Sequence, residues 1–379
     1  MRNDIAQALL LNVLNDSSFD DVDDARKYFQ NMAKYKYDDY QQYSTGMRFI
    51  ERFALWLNQF SDSDKDIALR SIREKLIFIS QSEMNLLVSS AFPDVIRAYF
   101  IRDVSEKIKV PEYKVAEIIA SNEYRKLVRQ SLFCGMSDGA KMEFFRRSNT
   151  GIISHEQIYQ THELSDERAS KMKTKLVQDL KKILDTENIL DIDSKFKRVF
   201  LLDDFSASGT SYLKYEQEGN EKIAKGKIAA FYKNVWQNPE LSEVFDLEEL
   251  KIYVIIYLCT EQAKSMIEGN FAELEKKYNR KPKLICLHVI PNEDKLSSVN
   301  DAETVALCNN DAYYDSEGLE DEHTRQGGGP GVRMGFGQCA LPVVLFHNTP
   351  NNSVSLLWSY DASKKFKGLF PRIPRHKEI

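Results

Sequence analysis

The sequence predicts an α/β protein with a mainly parallel sheet and flanking helices, preceded by a helical N-terminal region. From residue 131 onward, short runs rich in Val, Ile, Leu and Tyr alternate with stretches of helical periodicity, which is typical of strands joined by helices. In the first 130 residues or so, apolar residues recur mainly at helical spacing. The predicted strands are 131–136, 199–202, 250–259, 284–290 and 341–346, and the helices between them are 170–184, 224–235 and 261–278.

The helical region shows its periodicity best between residues 47 and 60. Phe49, Phe53 and Trp56 fall there on one face of a helix. The Ser-Asp-Ser-Asp sequence at 61–64 ends that helix and can cap the next one. These patterns divide the chain into three predicted segments. They are a helical region (1–128), an α/β domain (129–300), and an acidic then glycine-rich loop (301–331) followed by a C-terminal strand-turn block, together 301–379.

Composition limits the classes of function. The chain has 379 residues, 42% of them hydrophobic and 29% charged, with a net charge of −5, so we expect a soluble globular protein that does not attract nucleic acid over its whole surface. The sequence contains no run of 18 apolar residues, so no membrane span is predicted, and the N-terminus is a poor signal peptide. The five cysteines form no CxxC pair and the six histidines no cluster, which predicts reduced thiols, a cytoplasmic location and no zinc site.

One segment carries most of the chemistry. The apolar run at 199–202 delivers Asp203 and Asp204 to its C-terminal end, where ligands bind in open α/β sheets. Small or hydroxyl-bearing residues follow: Ser206, Ala207, Ser208, Gly209, Thr210 and Ser211. Small residues allow backbone amides to close around a phosphate, and adjacent carboxylates suit the two hydroxyls of a ribose. The segment therefore predicts a ribose 5-phosphate site.

Other interpretations of this segment remain open. The aspartate pair can be a loop cap among surface hydroxyls. Receiver domains also place acidic residues after a strand. A P-loop is excluded because GxxxxGK[ST] is absent, and the phosphatase-like DxDx[TV] acid spacing is missing as well.

The 199–211 segment resembles the phosphoribosyl-pyrophosphate (PRPP) loop of type I phosphoribosyltransferases, in which four apolar and two acidic residues precede small residues with Thr-Gly or Ser-Gly. The resemblance implies that Asp203 and Asp204 hold the ribose hydroxyls at the reacting centre and that residues 206–211 hold the 5-phosphate. It implies a phosphoribosyl-containing small molecule as ligand. It also implies Mg²⁺ that arrives on the pyrophosphate of that ligand and is not held by the protein alone.

The predicted strand at 131–136 ends in a glycine-bearing turn that resembles the pyrophosphate loop of the same enzymes. The residues concerned are Gly135, Met136, Ser137, Asp138, Gly139 and Lys141. The glycines would permit close approach of the backbone, and Lys141 would meet phosphate charge. An ordinary strand-to-helix turn capped by Asp138 is the alternative. Arg146 and Arg147 follow closely and are candidates for further phosphate contacts.

Three features depart from the usual enzymes: the helical N-terminal region, a polar insertion at 212–222 after the loop, and the block at 341–375. This block includes Asn348, Asn351 and Asn352, which would form either a hood over the base or an Asx-rich turn. Together with the turn at 137–140, it is similar to phosphoribosyltransferase-like proteins of bacterial conflict and anti-phage defence systems. Some of these are associated with retrons or with winged-helix partners.

The resemblance leads to an uncertain enzyme assignment that favours a phosphoribosyltransferase or nucleotide N-glycosidase acting at ribose C1 within a defence system. A second hypothesis is a non-catalytic subunit that senses a nucleotide and signals to protein partners. A third is a subunit that binds nucleic acid through a partner or a local patch of the helical region, where Lys34-Tyr35-Lys36-Tyr37 is the one hint. No membrane partner is expected.

Overall fold

The computed structural model describes residues 3–14, 19–219, 221–320 and 331–373. In chain order the helices are α1 (Asn3–Val13), α2 (Phe19–Tyr35), α3 (Phe49–Leu57), α4 (Asp62–Lys75), α5 (Gln81–Ser90), α6 (Arg97–Ile108), α7 (Val115–Ala120), α8 (Asn122–Arg129), α9 (Met142–Ser148), α10 (Asp166–Leu184), α11 (Lys227–Gln237), α12 (Pro239–Val244), α13 (Glu261–Tyr278), α14 (Ala302–Asn309), α15 (Ser316–Leu319) and α16 (Ser355–Trp358). The strands are β1 (Ile77–Ile79), β2 (Ser131–Gly135), β3 (Ile158–Gln160), β4 (Arg198–Ser206), β5 (Lys214–Glu218), β6 (Glu221–Lys225), β7 (Lys251–Thr260), β8 (Lys283–Ile290) and β9 (Val343–Leu345). A π-helical turn, Ala91–Ile96, precedes α6.

The chain forms two compact units, and their boundaries differ from the three predicted segments. One unit comprises Met1–Glu83 and Pro291–Ile379, and the other comprises Met84–Ile290. Helices α6 to α8 end by residue 129 yet belong to the unit that contains the sheet. Phe100 of α6 packs on Phe200 of β4, and Tyr124 of α8 packs on Phe100. The C-terminal block belongs with the first helices because β9 pairs with β1. Helical periodicity alone does not show which core a helix covers.

The second unit contains a parallel sheet with the strand order β3-β2-β4-β7-β8, which confirms the predicted α/β fold. Strand β2 comes first in the chain, β3 lies on one side of it, and β4 lies on the other. The order therefore reverses between β2 and β4. At such a switch point the connections leave the sheet in opposite directions, and a crevice opens beyond the carboxyl ends of the two strands.

Helices cover both faces of this sheet. On one face, Leu132, Val199 and Val254 join a core with apolar residues of α10, α11 and α13. On the other face, Phe133 and Phe200 stack at 5.2 Å, and Phe200 and Tyr253 stack at 4.8 Å, with α6 above them. Because both faces are buried, the strands read as continuous apolar runs.

The first unit contains the parallel pair β1–β9, with Ile77 opposite Val343 and Ile79 opposite Leu345. The strand predicted at 341–346 is observed as the shorter β9, and its partner is β1, which the sequence did not indicate because strand propensity does not specify the pairing partner. Phe370 packs beside β1, 5.4 Å from the ring of Phe78 and 5.8 Å from that of Phe49.

The prediction of one long loop at 301–331 is wrong in its first part. Helix α14 begins directly after Asp301, whose carboxylate accepts the amide of Ser297 at 3.0 Å. Helix α15 begins after Asp315, which accepts the amide of Gly318 at 3.2 Å. Acidic residues that look like loop residues act here as caps and turn formers. Residues 321–330, with most of the glycine-rich run, lie outside the described residues.

The predicted polar insertion at 212–222 is an antiparallel hairpin, β5–β6. Helix α11 begins only after it, at Lys227 and not at the predicted residue 224. The amide of Lys227 donates to the carbonyl of Ser211, and the amide of Ile228 donates to that of Tyr212, both at 3.0 Å. The turn at 209–213 thus continues into α11 through hydrogen bonds, and the hairpin is inserted between them.

Two general expectations can be compared with the structure. In the parts of the chain that it describes, no helix has the length and apolar character needed to cross a bilayer. All five cysteines are free; Cys134 and Cys259 are buried as predicted, whereas Cys286 is partly exposed.

Candidate functional site

The two segments singled out in the sequence leave the sheet as neighbours. Gly135, the last residue of β2, lies opposite Leu202 of β4. The amide of Met136 continues this pairing with a 2.9 Å hydrogen bond to the carbonyl of Leu202. The turn at 137–141 and the segment at 203–211 therefore begin side by side at the switch point of the sheet.

Asp203 lies inside this site and is fully buried. Its Oδ1 accepts hydrogen bonds from the hydroxyl of Ser137 and, at 3.2 Å, from the amide of Asp204. Its Oδ2 accepts from the hydroxyl of Tyr212 at 2.8 Å and from Nζ of Lys227 at 2.5 Å. Burial and the charge of Asp204 raise the pKa of Asp203, while Lys227 and Ser137 oppose that rise.

Asp204 is partly exposed, in contrast to its neighbour. Its Oδ1 accepts the amide of Phe205 at 2.8 Å, and its carboxylate faces Gly139. Lys141 is close enough that the negative charge of Asp204 raises its pKa, although burial lowers that pKa by more. A carboxylate and an ammonium group thus lie where the two segments meet.

The turn after β2 is short and well fixed. Asp138–Ala140 form a 3₁₀ turn, and Tyr257 of β7 donates to the carbonyl of Ala140 at 3.0 Å. Gly139 leaves room for the carboxylate of Asp204. Gly135 leaves room for the side chains of Gln160 and Met142. Gly139 therefore makes room within the predicted ligand crevice, whereas Gly135 makes room for side-chain packing.

The loop from Ser206 to Ser211 is held from one side by the end of β7. The hydroxyl of Thr260 donates to the carbonyl of Ala207 at 2.5 Å and accepts the amide of Ala263, so it caps α13 as well. Gly209 has a φ of +80°, and a Cβ there would come 3.0 Å from the carbonyl of Ala263. This backbone conformation and this close approach both favour glycine.

The polar groups of the loop are largely uncommitted. Within the described part of the chain, the backbone amides of residues 208–211 donate to no other residue. The hydroxyls of Ser208 and Thr210 contact each other at 2.9 Å. The hydroxyl of Ser206 is buried and has no partner among the described residues. Buried or clustered donors without protein acceptors are expected where a ligand supplies the acceptor.

Arg146 and Arg147 lie on α9, and both bind Glu143 of the same helix, at 2.7 and 2.8 Å. These two ion pairs lower the pKa of Glu143 to about 2. The structure thus places the predicted phosphate contacts in a local ion-pair cluster. Their role toward a ligand stays a prediction.

The site includes residues that the sequence analysis missed. Lys227 and Tyr212 flank the hairpin, and since the hairpin separates Lys227 from Asp203 by 24 positions, no local motif links them. Tyr257 lies within a continuous apolar strand and carried no signal. Thr260 did carry one: a Thr between a predicted strand and a predicted helix is a typical N-cap.

Two other predicted surfaces are better explained by local structure. In the Lys34–Tyr37 stretch, Tyr37 is buried and Lys36 binds Glu83 at 2.6 Å, which leaves Lys34 and Tyr35 exposed.

Around the C-terminal asparagines, the amide of Asn348 donates to Leu345 and the side chain of Asn352 donates to the carbonyl of Phe336. These are the contacts of a turn.

Comparison with protein families decides the class. The model of the PRTase-CE family matches residues 53–372. This protein is a member of the PRTase-CE family. The match runs from α3 to the residues after Phe370, so it covers the 203–211 segment, the turn at 137–141 and the hairpin between β4 and α11. Membership makes the chain a phosphoribosyltransferase-like protein (PRTase), as the loop resemblance predicted.

No curated protein and no solved structure matches this PRTase-CE chain. Family membership and the geometry of the crevice are therefore the two supports for its function.

Proposed function

We propose that this protein binds a ribose 5-phosphate ligand, either PRPP or a nucleotide, in the crevice between β2 and β4, and that it acts at C1 of the ribose. One observation carries the proposal. The uncommitted amides of residues 208–211 lie on a loop with a left-handed glycine, directly after a partly exposed carboxylate, at the switch point of a parallel sheet.

The loop suits a phosphate group. Successive backbone amides in a tight turn form a concave cluster of donors that binds anions without needing a positive side chain. The hydroxyls of Ser206, Ser208 and Thr210 add donors that can reorient toward phosphate oxygens. The turn at 209–213 leads into α11, so the positive end of a helix adds to the attraction.

The opposite side of the crevice suits the rest of the ligand. Asp204 offers partly exposed carboxylate oxygens to ribose hydroxyls. The turn at 137–141 presents Lys141 beside it, where the ammonium can meet pyrophosphate charge. The two sides thus match the two ends of a phosphoribosyl ligand.

We propose that Mg²⁺ enters on the pyrophosphate of the ligand. Three or more converging His, Cys, Asp or Glu side chains are not found within the described ranges. Asp204 alone fits the usual situation, in which Mg²⁺ keeps waters and substrate phosphates and takes one or two carboxylates from the protein. The ion would neutralise charge on the leaving pyrophosphate.

Catalysis would consist mainly of positioning. The bond from C1 to its leaving group breaks, and a base nitrogen or a water oxygen forms the new bond. Asp204 would stabilise the positive charge that develops on the ribose. With a nucleotide ligand and water, the same site would act as an N-glycosidase.

The decisive experiment is calorimetric binding of PRPP with Mg²⁺ to the wild type, to Asp204→Asn and to Asp66→Asn. The last variant removes one exposed carboxylate of α4 and serves as the matched control. We expect the first substitution to weaken binding at least tenfold, about 1.4 kcal/mol, and the control to leave it unchanged. A folded wild type that binds neither PRPP nor ribose 5-phosphate nor nucleotides would overturn the proposal.

Turnover separates the enzyme from the sensor. Release of pyrophosphate from PRPP, or of free base from a nucleotide, supports catalysis; tight binding without release supports a nucleotide-sensing subunit with protein partners. A place in an anti-phage defence system rests on the resemblance of the sequence, and plaque counts with wild type and Asp204→Asn would test it.

A further inference from the structure

The hydrogen bonds of Asp203 differ from those expected of a carboxylate that binds a ribose. A carboxylate offers about four acceptor positions. All four are used inside the protein, by Ser137 and the amide of Asp204 on one oxygen and by Tyr212 and Lys227 on the other. The residue is also fully buried. A ribose hydroxyl could reach it only by displacing one of these donors.

Two of the donors mark the ends of the inserted hairpin. Tyr212 precedes β5, and the one hydrogen of its hydroxyl is shared between Oδ2 of Asp203 and the carbonyl of Phe205, each 2.8 Å from the hydroxyl oxygen. Lys227 follows β6 as the first residue of α11, and its ammonium lies 4.9 Å from the centre of the Tyr212 ring. Both side chains reach the same atom, Oδ2 of Asp203. Asp203 therefore ties together the two points at which the hairpin leaves and rejoins the helical path.

The backbone makes the same junction. Gly226 has a φ of +104°, and a Cβ there would come 2.6 Å from the carbonyl oxygen of Tyr212. This close approach brings Lys227 beside Ser211, the last residue of the phosphate loop, where the 3.0 Å amide-to-carbonyl bond joins them. The position of Lys227 and the position of the end of the loop therefore depend on each other.

We propose that Asp203 is an internal tie and that Lys227 is a positioning residue: through Asp203 and Tyr212 it closes the base of the β5–β6 hairpin and fixes the end of the 206–211 loop. This assigns the two acids of the pair to different tasks, with Asp204 facing the ligand and Asp203 facing the protein. As far as it concerns the ligand, the inference rests on the proposed function; the closure of the hairpin base does not.

Charge explains why a lysine is used. A buried carboxylate is costly unless a cation compensates it. About two thirds of the Lys227 side chain is shielded, with 32% exposed, so its ammonium balances Asp203 while keeping contact with water. Replacing Lys227 by methionine would leave the carboxylate both buried and uncompensated, and the tie would open.

The test needs no ligand. Hydrogen exchange would be measured in the peptide around residues 226–230, in which the amides of Lys227 and Ile228 bind Ser211 and Tyr212 across the junction. We expect exchange about tenfold faster or more in Lys227→Met, with a lower Tm. Lys227→Arg keeps the cation and should largely restore protection. Lys225→Met is the matched control. Lys225 lies two residues before Lys227, and its substitution breaks an exposed ion pair with Glu218.

The double variant Asp203→Asn/Lys227→Met should be more stable than Lys227→Met alone, because it removes the uncompensated charge. If Lys227→Met does not fold, Tyr212→Phe removes one donor of the tie and should show the same faster exchange to a smaller degree. Unchanged exchange in the variants that fold would overturn the inference. So would an Asp203→Asn variant that loses PRPP binding with unaltered exchange and Tm, because Asp203 would then be a direct ligand.

The two proposals fail separately. If the wild type binds no phosphoribosyl ligand, the proposed function falls, while the exchange rates still decide whether Asp203 and Lys227 close the hairpin.

Discussion

The carboxylate of Asp204 occupies the space in which a side chain at Gly139 would begin. A Cβ on Gly139 would overlap both oxygens and the Cγ atom of that carboxylate. The glycine is not required by its backbone conformation, since its φ lies outside the left-handed region. It is required by the close approach of the turn after β2 to the acid after β4.

Gly139→Ala should therefore displace Asp204 while leaving the sheet intact. We expect PRPP affinity to fall at least tenfold, about 1.4 kcal/mol, with little change in Tm. Calorimetry and thermal unfolding measure the two effects. Gly269→Ala is the control, because nothing lies within 4 Å of its Cβ position in α13; it should stabilise the protein by about 0.5–1 kcal/mol. Unimpaired binding by Gly139→Ala would show that the exact position of Asp204 is unimportant.

Thr260→Val should loosen the phosphate loop and the start of α13 together. The substitution keeps the shape of the side chain but removes its bonds to the carbonyl of Ala207 and the amide of Ala263. We expect a loss of about 1–2 kcal/mol in the free energy of unfolding. Weaker PRPP binding should accompany it, and Thr260→Ser should recover most of both. Loss of binding in the serine variant as well would point to the methyl group instead.

Asp103 should make stability depend on pH. It binds Arg198 at 2.6 Å and Lys251 at 2.7 Å and so ties α6 to the starts of β4 and β7. Burial raises its pKa, but Lys251 and Arg198 together lower the pKa below its ordinary value. Because the folded protein then holds the proton less tightly than the unfolded chain, this contribution is present above pH ~4 and is lost as the pH falls through the folded pKa.

Asp103→Asn should cost about 3 kcal/mol at neutral pH, since Arg198 is left nearly buried without its partner. The difference between wild type and variant should shrink on acidification, which urea unfolding at several pH values would show. Glu106→Gln, an exposed change on the same helix, is the control. A difference that stays constant down to pH ~2 would contradict the assignment of the shift to Asp103.

Phe370→Ala tests whether the C-terminal block is structural. Its ring is fully buried and packs against Tyr37, Phe49 and Phe78. Removing it should cost about 3–5 kcal/mol in the free energy of unfolding. The exposed change Ile373→Ala should cost almost nothing. Unchanged stability with lost ligand binding would instead favour the predicted hood over the site.

The parts of the fold that follow from local patterns were predictable. Continuous apolar runs marked β2, β4 and β7, because strands covered on both faces leave no polar alternation. The edge strand β8 is only partly buried, but its apolar residues marked it as well. The acidic pair and its loop were recognisable because their chemistry lies in consecutive residues. Contacts between distant residues were not predictable: the pairing of β9 with β1 and the bond from Lys227 to Asp203 leave no periodicity in the chain.

The same distinction applies within the site. Two adjacent aspartates look equivalent in a sequence, yet successive side chains of a strand point to opposite sides. Asp203 therefore binds Ser137, Tyr212 and Lys227, whereas Asp204 faces Gly139.

The pairing of β1 with β9 has a consequence for how the chain is made. The first 83 residues share a core with residues that a ribosome adds more than 200 positions later. Tyr40, for example, donates its hydroxyl to the carbonyls of Phe370 and Pro371. The middle unit is synthesised completely before these residues, whereas apolar side chains of the early helices, such as Phe49, lack their C-terminal packing partners until Phe370 is added. The N-terminal unit therefore needs β9 and Phe370 before its core is complete. Termination of synthesis before these residues would leave the beginning of the protein unfolded.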